Sequence, residues 1–217
     1  MNETLIVTVI GAPASGKSTL ADGIKTRRPS VELFGVRRHF HEQIERGTAL
    51  GDRARPYVDA GGWIPDEIVV EAVAQEFDDQ RLRNEVVFEG MPGNRGQAAL
   101  LDDLLDARGT PLQAVFWVDT PDPVCMARAA GRIVCYSCDG GAHQAVGMAD
   151  DPGRCARCGE PLTARDGDDP LYLAHRLDLF HRQYAELFGY YGDRVVRIDG
   201  LDTVERILES AMVFLET

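Results

Sequence analysis

Gly11-Ala12-Pro13-Ala14-Ser15-Gly16-Lys17-Ser18 fits the pattern G-x-x-x-x-G-K-[ST]. It follows an apolar, β-branched run, Thr4-Leu5-Ile6-Val7-Thr8-Val9-Ile10, and precedes a helix expected to start at Lys17. Strand, glycine loop and helix in that order make a phosphate cradle. The glycines let backbone N–H groups curve around an anion, and the helix N-terminus adds positive potential. The Lys17 ammonium can reach β and γ phosphates, and a hydroxyl of Ser18 or Thr19 can face Mg²⁺. Residues Gly11, Ala12, Pro13, Ala14, Ser15, Gly16, Lys17, Ser18 and Thr19 are therefore the expected donor-phosphate contacts.

Outward from this loop, further strand candidates are Val31 to Phe34, Val86 to Phe88, Ala114 to Val118 and Val195 to Ile198. Helix-length segments such as Pro65 to Phe77 and Gln97 to Ala107 separate them. Strands alternating with helices imply an α/β fold with a mostly parallel sheet covered on both faces. Two stretches interrupt the alternation: Arg37 to Gln80, which reads as helices without a strand, and Ile133 to Asp169, rich in Cys, Gly, Asp and Pro. Both read as insertions.

The chain has 217 residues and a formal charge of −12, which argues against non-specific binding to nucleic acid or anionic membranes. A polyanionic ligand would have to be met by a local cluster of cations. Of the 23 basic residues only Lys17 and Lys25 are lysine. No apolar run reaches the ~18 to 20 residues of a membrane helix, and Leu5 to Ile10 is too short for a signal peptide. The expected compartment is cytoplasmic.

Cys135-x-x-Cys138 and Cys155-x-x-Cys158 have the spacing of a tetrahedral zinc site with four thiolates. Asp139-Gly140-Gly141 and Gly159 supply a permissive backbone beside them. Two disulfides are the alternative, disfavoured in a reducing compartment. With four protein ligands such an ion is structural. Cys125 reads as a buried small hydrophobe, and Lys25, His143 and His181 as surface.

Taken together, these segments resemble the nucleoside monophosphate kinases, most closely the adenylate kinase family, over essentially the whole chain. Gly51-Asp52-Arg53-Ala54-Arg55-Pro56-Tyr57-Val58-Asp59-Ala60-Gly61-Gly62-Trp63-Ile64-Pro65-Asp66-Glu67 is similar to the acceptor-domain stretch ending in V-P-D-E. Glu89-Gly90-Met91-Pro92-Gly93-Asn94-Arg95-Gly96-Gln97-Ala98 falls where the family has D-G-F-P-R-x-x-x-Q-A. Arg128-Ala129-Ala130-Gly131-Arg132 is similar to the R-x-x-G-R that opens the lid, and Arg165 and Arg176 have the spacing of the two arginines that close it.

The resemblance implies a P-loop NTPase three-layer fold with a parallel five-stranded sheet. Its core would be 1–30, 82–132 and 168–217, with a helical acceptor-binding insertion at 31–81 and a zinc-bearing lid at 133–167. It further implies reversible transfer of the ATP γ-phosphate to a nucleoside monophosphate, AMP or a related, non-adenine or modified, nucleotide. Lys17, Arg128, Arg132, Arg165 and Arg176 would be catalytic, with Arg128 also touching the donor. Forked cations suit this chemistry, since the transferred group spreads charge over its equatorial oxygens. Val58, Ile64, Gly90, Gln97, Arg165 and Arg176 would hold the acceptor, Gln97 pairing with its base. Partners would be small nucleotides, with no nucleic acid or membrane, and the chain a monomer.

The acceptor side departs from the family. Where it has S-T-G-D-x-x-R, this chain reads Gly35-Val36-Arg37-Arg38-His39-Phe40-His41, and Gly93 stands in place of the arginine of D-G-F-P-R. Arg37, Arg38 and Arg95 are candidate replacements, whereas His39 and His41 read as surface or cap residues on one helix face. Glu89 replaces an Asp that orients hydrated Mg²⁺, lengthening the reach by about a bond. These departures keep two other readings open: a P-loop kinase of a non-nucleotide metabolite, and a nucleotide-binding regulatory protein without turnover.

Overall fold

The computed structural model describes residues 4–60, 62–135, 137–138, 149–165 and 167–216. His143 and the Asp139-Gly140-Gly141 segment lie outside the described residues. Five parallel strands form the sheet: β1 (Leu5–Gly11), β2 (Glu32–Gly35), β3 (Glu85–Glu89), β4 (Ala114–Asp119) and, at one edge, Val195–Asp199. Numbered with the short pair β5 (Ile133–Val134) and β6 (Thr163–Ala164), that last strand is β7, and the sheet order is β2-β3-β1-β4-β7. All five lie within a residue of the positions expected from apolar runs. Gly35 pairs with Glu89, so the sheet takes Glu32–Gly35 from the segment 31–81, and the purely helical stretch begins at Val36.

Alternation along β1 explains the three layers. Ile6 and Ile10 face one apolar cluster, which includes Leu101, Leu105, Leu177 and Leu187. Val7 and Val9 face the other, with Leu20, Ile24, Ala211 and Met212. A strand buried on both faces reads as a continuous hydrophobic run because successive side chains point to opposite sides. The second cluster draws on α1 (Lys17–Arg27) and α8 (Val204–Leu215), the first on helices between them in the chain. These are α2 (Val36–Glu45), α3 (Ala49–Asp59), α4 (Asp66–Asp78), α5 (Arg95–Ala107), α6 (Asp122–Ala130) and α7 (Pro170–Tyr191). Helix α5 starts two residues before the expected Gln97 because Asn94 caps it, its side chain accepting from the Gln97 N–H at 2.8 Å.

Histidines 39 and 41 correct the sequence reading. Two positions along a helix are about 200° apart, so they cannot share a face. His39 is buried on α2, 5.0 Å from the Phe34 ring and 5.4 Å from Phe40. Its Nδ1 lies 3.8 Å from Glu76, and its buried Nε2 has no hydrogen-bond partner among the described residues. Lys25 and His181 are exposed as expected, and Cys125 is buried.

Burial holds His39 below the usual value of 6.5, with Glu76 opposing and Arg81 and Arg46 adding to the fall. The unfolded chain therefore takes up the proton first, and His39 favours folding fully above about pH 6.5, losing that contribution as pH falls below it. Urea unfolding at pH 7.5 and 5.5 should show a larger loss of stability in the wild type than in His39→Leu. Equal losses would refute burial of a neutral imidazole.

Candidate active site

All five strands of the sheet point their C-terminal ends the same way, and the loops there build one site, as expected for an open parallel sheet. After β1, the chain turns with Ala14 at φ 63° and Gly16 at φ 105° before α1 begins. A non-glycine residue in the left-handed region is a strained backbone, retained here where N–H groups must converge. Helix α1 has no side-chain cap, so its first N–H groups are free for an anion. Ser15 is fully buried and its Oγ has no hydrogen-bond partner among the described residues.

Neighbouring loops brace this turn. Thr120, after β4, donates to the Ser15 carbonyl at 3.0 Å. Arg128 on α6 donates to the same carbonyl at 3.0 Å and to the Gly200 carbonyl at 2.9 Å, so its fork ties the cradle to the loop after β7. Ser18 donates to Glu89 at 2.5 Å, bringing together the two residues the sequence assigned to Mg²⁺. The extra methylene of Glu89 lets the strand end reach the helix hydroxyl.

Lys17 donates to the Ala12 carbonyl at 3.3 Å. Desolvation is the main force pulling its pKa down to about 8; Glu89 opposes, and Arg176, Arg165 and Arg132 push in the same direction as burial. Arg165 is lowered to about 10, chiefly by burial and then by Arg37, Arg132 and Arg176, against Asp168. Arg176 is lowered by burial, and Arg37 is the charge that acts on it most. Arg132 is paired with Asp168 through two bonds of 2.7 and 2.5 Å. Among the described residues, the buried Nε of Arg165 has no hydrogen-bond partner. Cations from α1, the turn after α6, the segment after β6 and α7 thus gather at one place, with Arg37 of α2 beside the last two, and a polyphosphate would neutralise them.

Of the three candidate replacements, Arg37 enters this cluster. It lies on the same face of α2 as His41, one turn away, and His41 is lowered by burial and then by Arg37. Arg38 turns the other way and donates to the Leu33 carbonyl at 3.1 Å. Arg95 is exposed in the first turn of α5. Val58 and Ile64 pack partly buried against the core, and Gly90 follows β3 with φ 75°. Gln97 is 2% exposed, its Oε1 accepting from the Gly93 N–H at 2.8 Å and its Nε2 donating to Asp66 at 3.1 Å.

Separately, Cys135, Cys138, Cys155 and Cys158 place their four sulfurs within 4.8 Å of one another, a cluster that could hold a metal ion. All are free thiols, with Cys135–Cys158 at 3.4 Å and Cys138–Cys155 at 3.6 Å. Those separations far exceed a disulfide's ~2.05 Å and approach the roughly 3.8 Å of a tetrahedral site with Zn–S near 2.3 Å.

Fold and site together define a P-loop phosphotransferase acting on nucleotides. Comparison with known proteins narrows the class. The adenylate kinase family profile matches residues 9–196. Among relatives, an adenylate kinase of Moorella thermoacetica is 32% identical over 202 residues, covering 92% of this chain and 93% of that protein. One from Symbiobacterium thermophilum is 34% identical over 194 residues, 87% of each, and one from Salinispora tropica 32% over 208, 94% of each. The chain belongs to the adenylate kinase family. Neither a non-nucleotide acceptor nor a regulatory role without turnover is favoured by these matches. Among the described residues, no helix is long and apolar enough to cross a membrane.

Lys17 gives the cluster a pH signature. Bound phosphate favours the ammonium, so donor affinity should fall as pH rises through about 8, and binding near that pH should take up a proton. Calorimetry of ATP binding in buffers of different ionisation enthalpy reads this uptake. Lys17→Arg, which cannot titrate there, should lose it; unchanged uptake would place the titrating group elsewhere.

Proposed function

We propose that the chain catalyses ATP + AMP ⇌ 2 ADP, with the acceptor phosphate held by Arg37 together with Arg165 and Arg176. The observation that carries this reading is the crowding of Arg132, Arg165 and Arg176 around Lys17, with Arg37 acting on Arg165 and Arg176, in a chain of charge −12. Loop N–H groups and Lys17 hold the donor phosphates, while Arg132, Arg165 and Arg176 surround the transferred group where its equatorial charge spreads. An oxygen of the acceptor phosphate attacks the γ-phosphorus as the bond to the β–γ bridging oxygen breaks, leaving ADP on each side. Arg128 acts one step back, fixing the Ser15 carbonyl and with it the cradle. Mg²⁺, when bound, neutralises phosphate charge, and Ser18 and Glu89 are the residues that would hold it through its waters.

The domain division belongs to the same reading, with the acceptor unit at 31–81 relieved of strand β2 and the lid at 133–167. Convergence of Arg132, Arg165 and Arg176 from the ends of that lid supports closure over the phosphates, which would exclude water. The four cysteines would hold one structural Zn²⁺ within it. Small nucleotides are the proposed partners, and a monomer in the cytoplasm the proposed state.

Arg37→Ala should raise the acceptor KM by about tenfold to a hundredfold, the size of one charge-assisted hydrogen bond, and leave ATP affinity within about twofold. Coupled assays of ADP formation with each substrate varied test it; an unchanged acceptor KM would remove Arg37 from the site. Protein purified without added metal should carry about one zinc per chain, and Cys155→Ser should lose it along with activity while the core keeps its circular dichroism. Zinc-free wild-type protein with four titratable lid thiols would contradict the metal assignment.

A further inference from the structure

Trp63 and Gly93 are built around each other. A Cβ added to Gly93 would lie 2.1 Å from two carbons of the Trp63 ring, so no other residue fits at 93 while the indole stays where it is. The indole is nevertheless 45% exposed. Its Nε1 donates to Asp66 at 3.3 Å, and the same carboxylate oxygen accepts from Asn94 at 2.9 Å and Gln97 at 3.1 Å. A large aromatic face is thus held rigid and half open to solvent, an arrangement that apolar burial does not explain.

Its position relates it to the phosphate cluster. Gly93 is three residues beyond Gly90, and a Cβ on Gly90 would lie 3.9 Å from Lys17 Cε. Three residues span at most about 11 Å, so the surface beneath the indole is within a mononucleotide's reach of the cradle. The connecting loop is pinned: the Gly90 N–H donates to Val9 at 3.0 Å, Thr8 donates to the Met91 carbonyl, and the Gly93 N–H donates to Gln97 at 2.8 Å. Gln97, almost wholly buried, ties this loop to Asp66 of α4 through one bond at each end of its carboxamide.

Resting on the phosphotransfer reading above, we propose that Trp63 is the specificity-determining wall of the acceptor site: its indole, seated on Gly93, stacks on the acceptor base, and Gln97 positions that wall. Stacking is tolerant, because every base has a π-face, whereas hydrogen-bond reading rejects the wrong base by 10⁴-fold or more. The acceptor site should therefore take several nucleoside monophosphates, purines ahead of pyrimidines.

The chain has two tryptophans, and Trp117 packs on Phe188, so Trp117→Phe leaves Trp63 as the sole indole. In that variant AMP, GMP, CMP and UMP should each quench fluorescence saturably, and tripolyphosphate, which has no base, should not. Trp63→Ala should raise the acceptor KM about tenfold to a hundredfold and leave the ATP KM within about twofold, and Trp63→Phe should retain most of the affinity. Equal rises in both KM values with a lowered Tm would make Trp63 a structural residue and overturn the proposal. So would a preference for AMP over GMP above a thousandfold. Failure of the wild type to form ADP with any monophosphate would instead remove the phosphotransfer reading, and the wall with it; normal turnover with an unaltered acceptor KM in Trp63→Ala would remove the wall alone.

Discussion

Mutual repulsion among five cations is the constraint around which this molecule is arranged. Two unit charges 4 Å apart interact by roughly 4 kcal/mol at the effective dielectric of a partly buried site. Burial first, and the neighbouring cations after it, lower Lys17 to about 8 and Arg165 to about 10. The carboxylates that offset them are Asp168, in two bonds to Arg132, and Glu89, beside Lys17 and Ser18. Each cation comes from a different segment, and phosphate oxygens standing between them would relieve the repulsion and hold those segments together. Under the closure proposed above, ligand binding and lid movement would be one equilibrium, with polyphosphate favouring the arrangement in which it relieves the repulsion.

The scaffold that tolerates this crowding is the part of the chain most legible in its sequence. Strands β1, β3 and β4 are continuous apolar runs because they are buried on both faces, and such runs need no tertiary information to read. The phosphate loop and the paired C-x-x-C steps were equally legible, since their chemistry is fixed by spacing over a few residues. Arg37 was one of three candidates because charge alone does not tell direction. Helix phase decides among them: Arg37 and His41 are one turn apart on the face toward Arg165, and Arg38 is turned to the Leu33 carbonyl.

Other features depended on contacts that local pattern does not encode. His39 reads as polar in a charged stretch, yet α2 lies against Phe34 and Phe40, and the phase that turns Arg37 toward the cations turns His39 inward. Gln97 carries an amide suited to a base, and contacts across α4 and the β3 loop also bond it to Asp66 and the Gly93 N–H. Trp63 stands beside Gly61 and Gly62 with no motif of its own. Its role follows from a vacancy thirty residues away, since only the missing Cβ of Gly93 lets the ring lie there.

The losses and gains on the acceptor side are coupled through that vacancy. A long cation on the β3 loop would need a side chain at 93, in the volume that the Trp63 ring fills. Once the ring is seated there, positive charge for the acceptor must come from another element, and the nearest strand end is β2, paired with β3 through Gly35 and Glu89. Helix α2 begins at that strand end with no side-chain cap and no acidic residue in its first turn, so its free N–H groups and macrodipole already favour an anion. Arg37, the second residue of α2, adds a full charge to that partial one. On the reading proposed above, moving the cation from loop to helix keeps phosphate recognition while giving the loop's former space to an aromatic surface. The same exchange changes what the site can distinguish, because a guanidinium grips phosphate and an indole face meets a base.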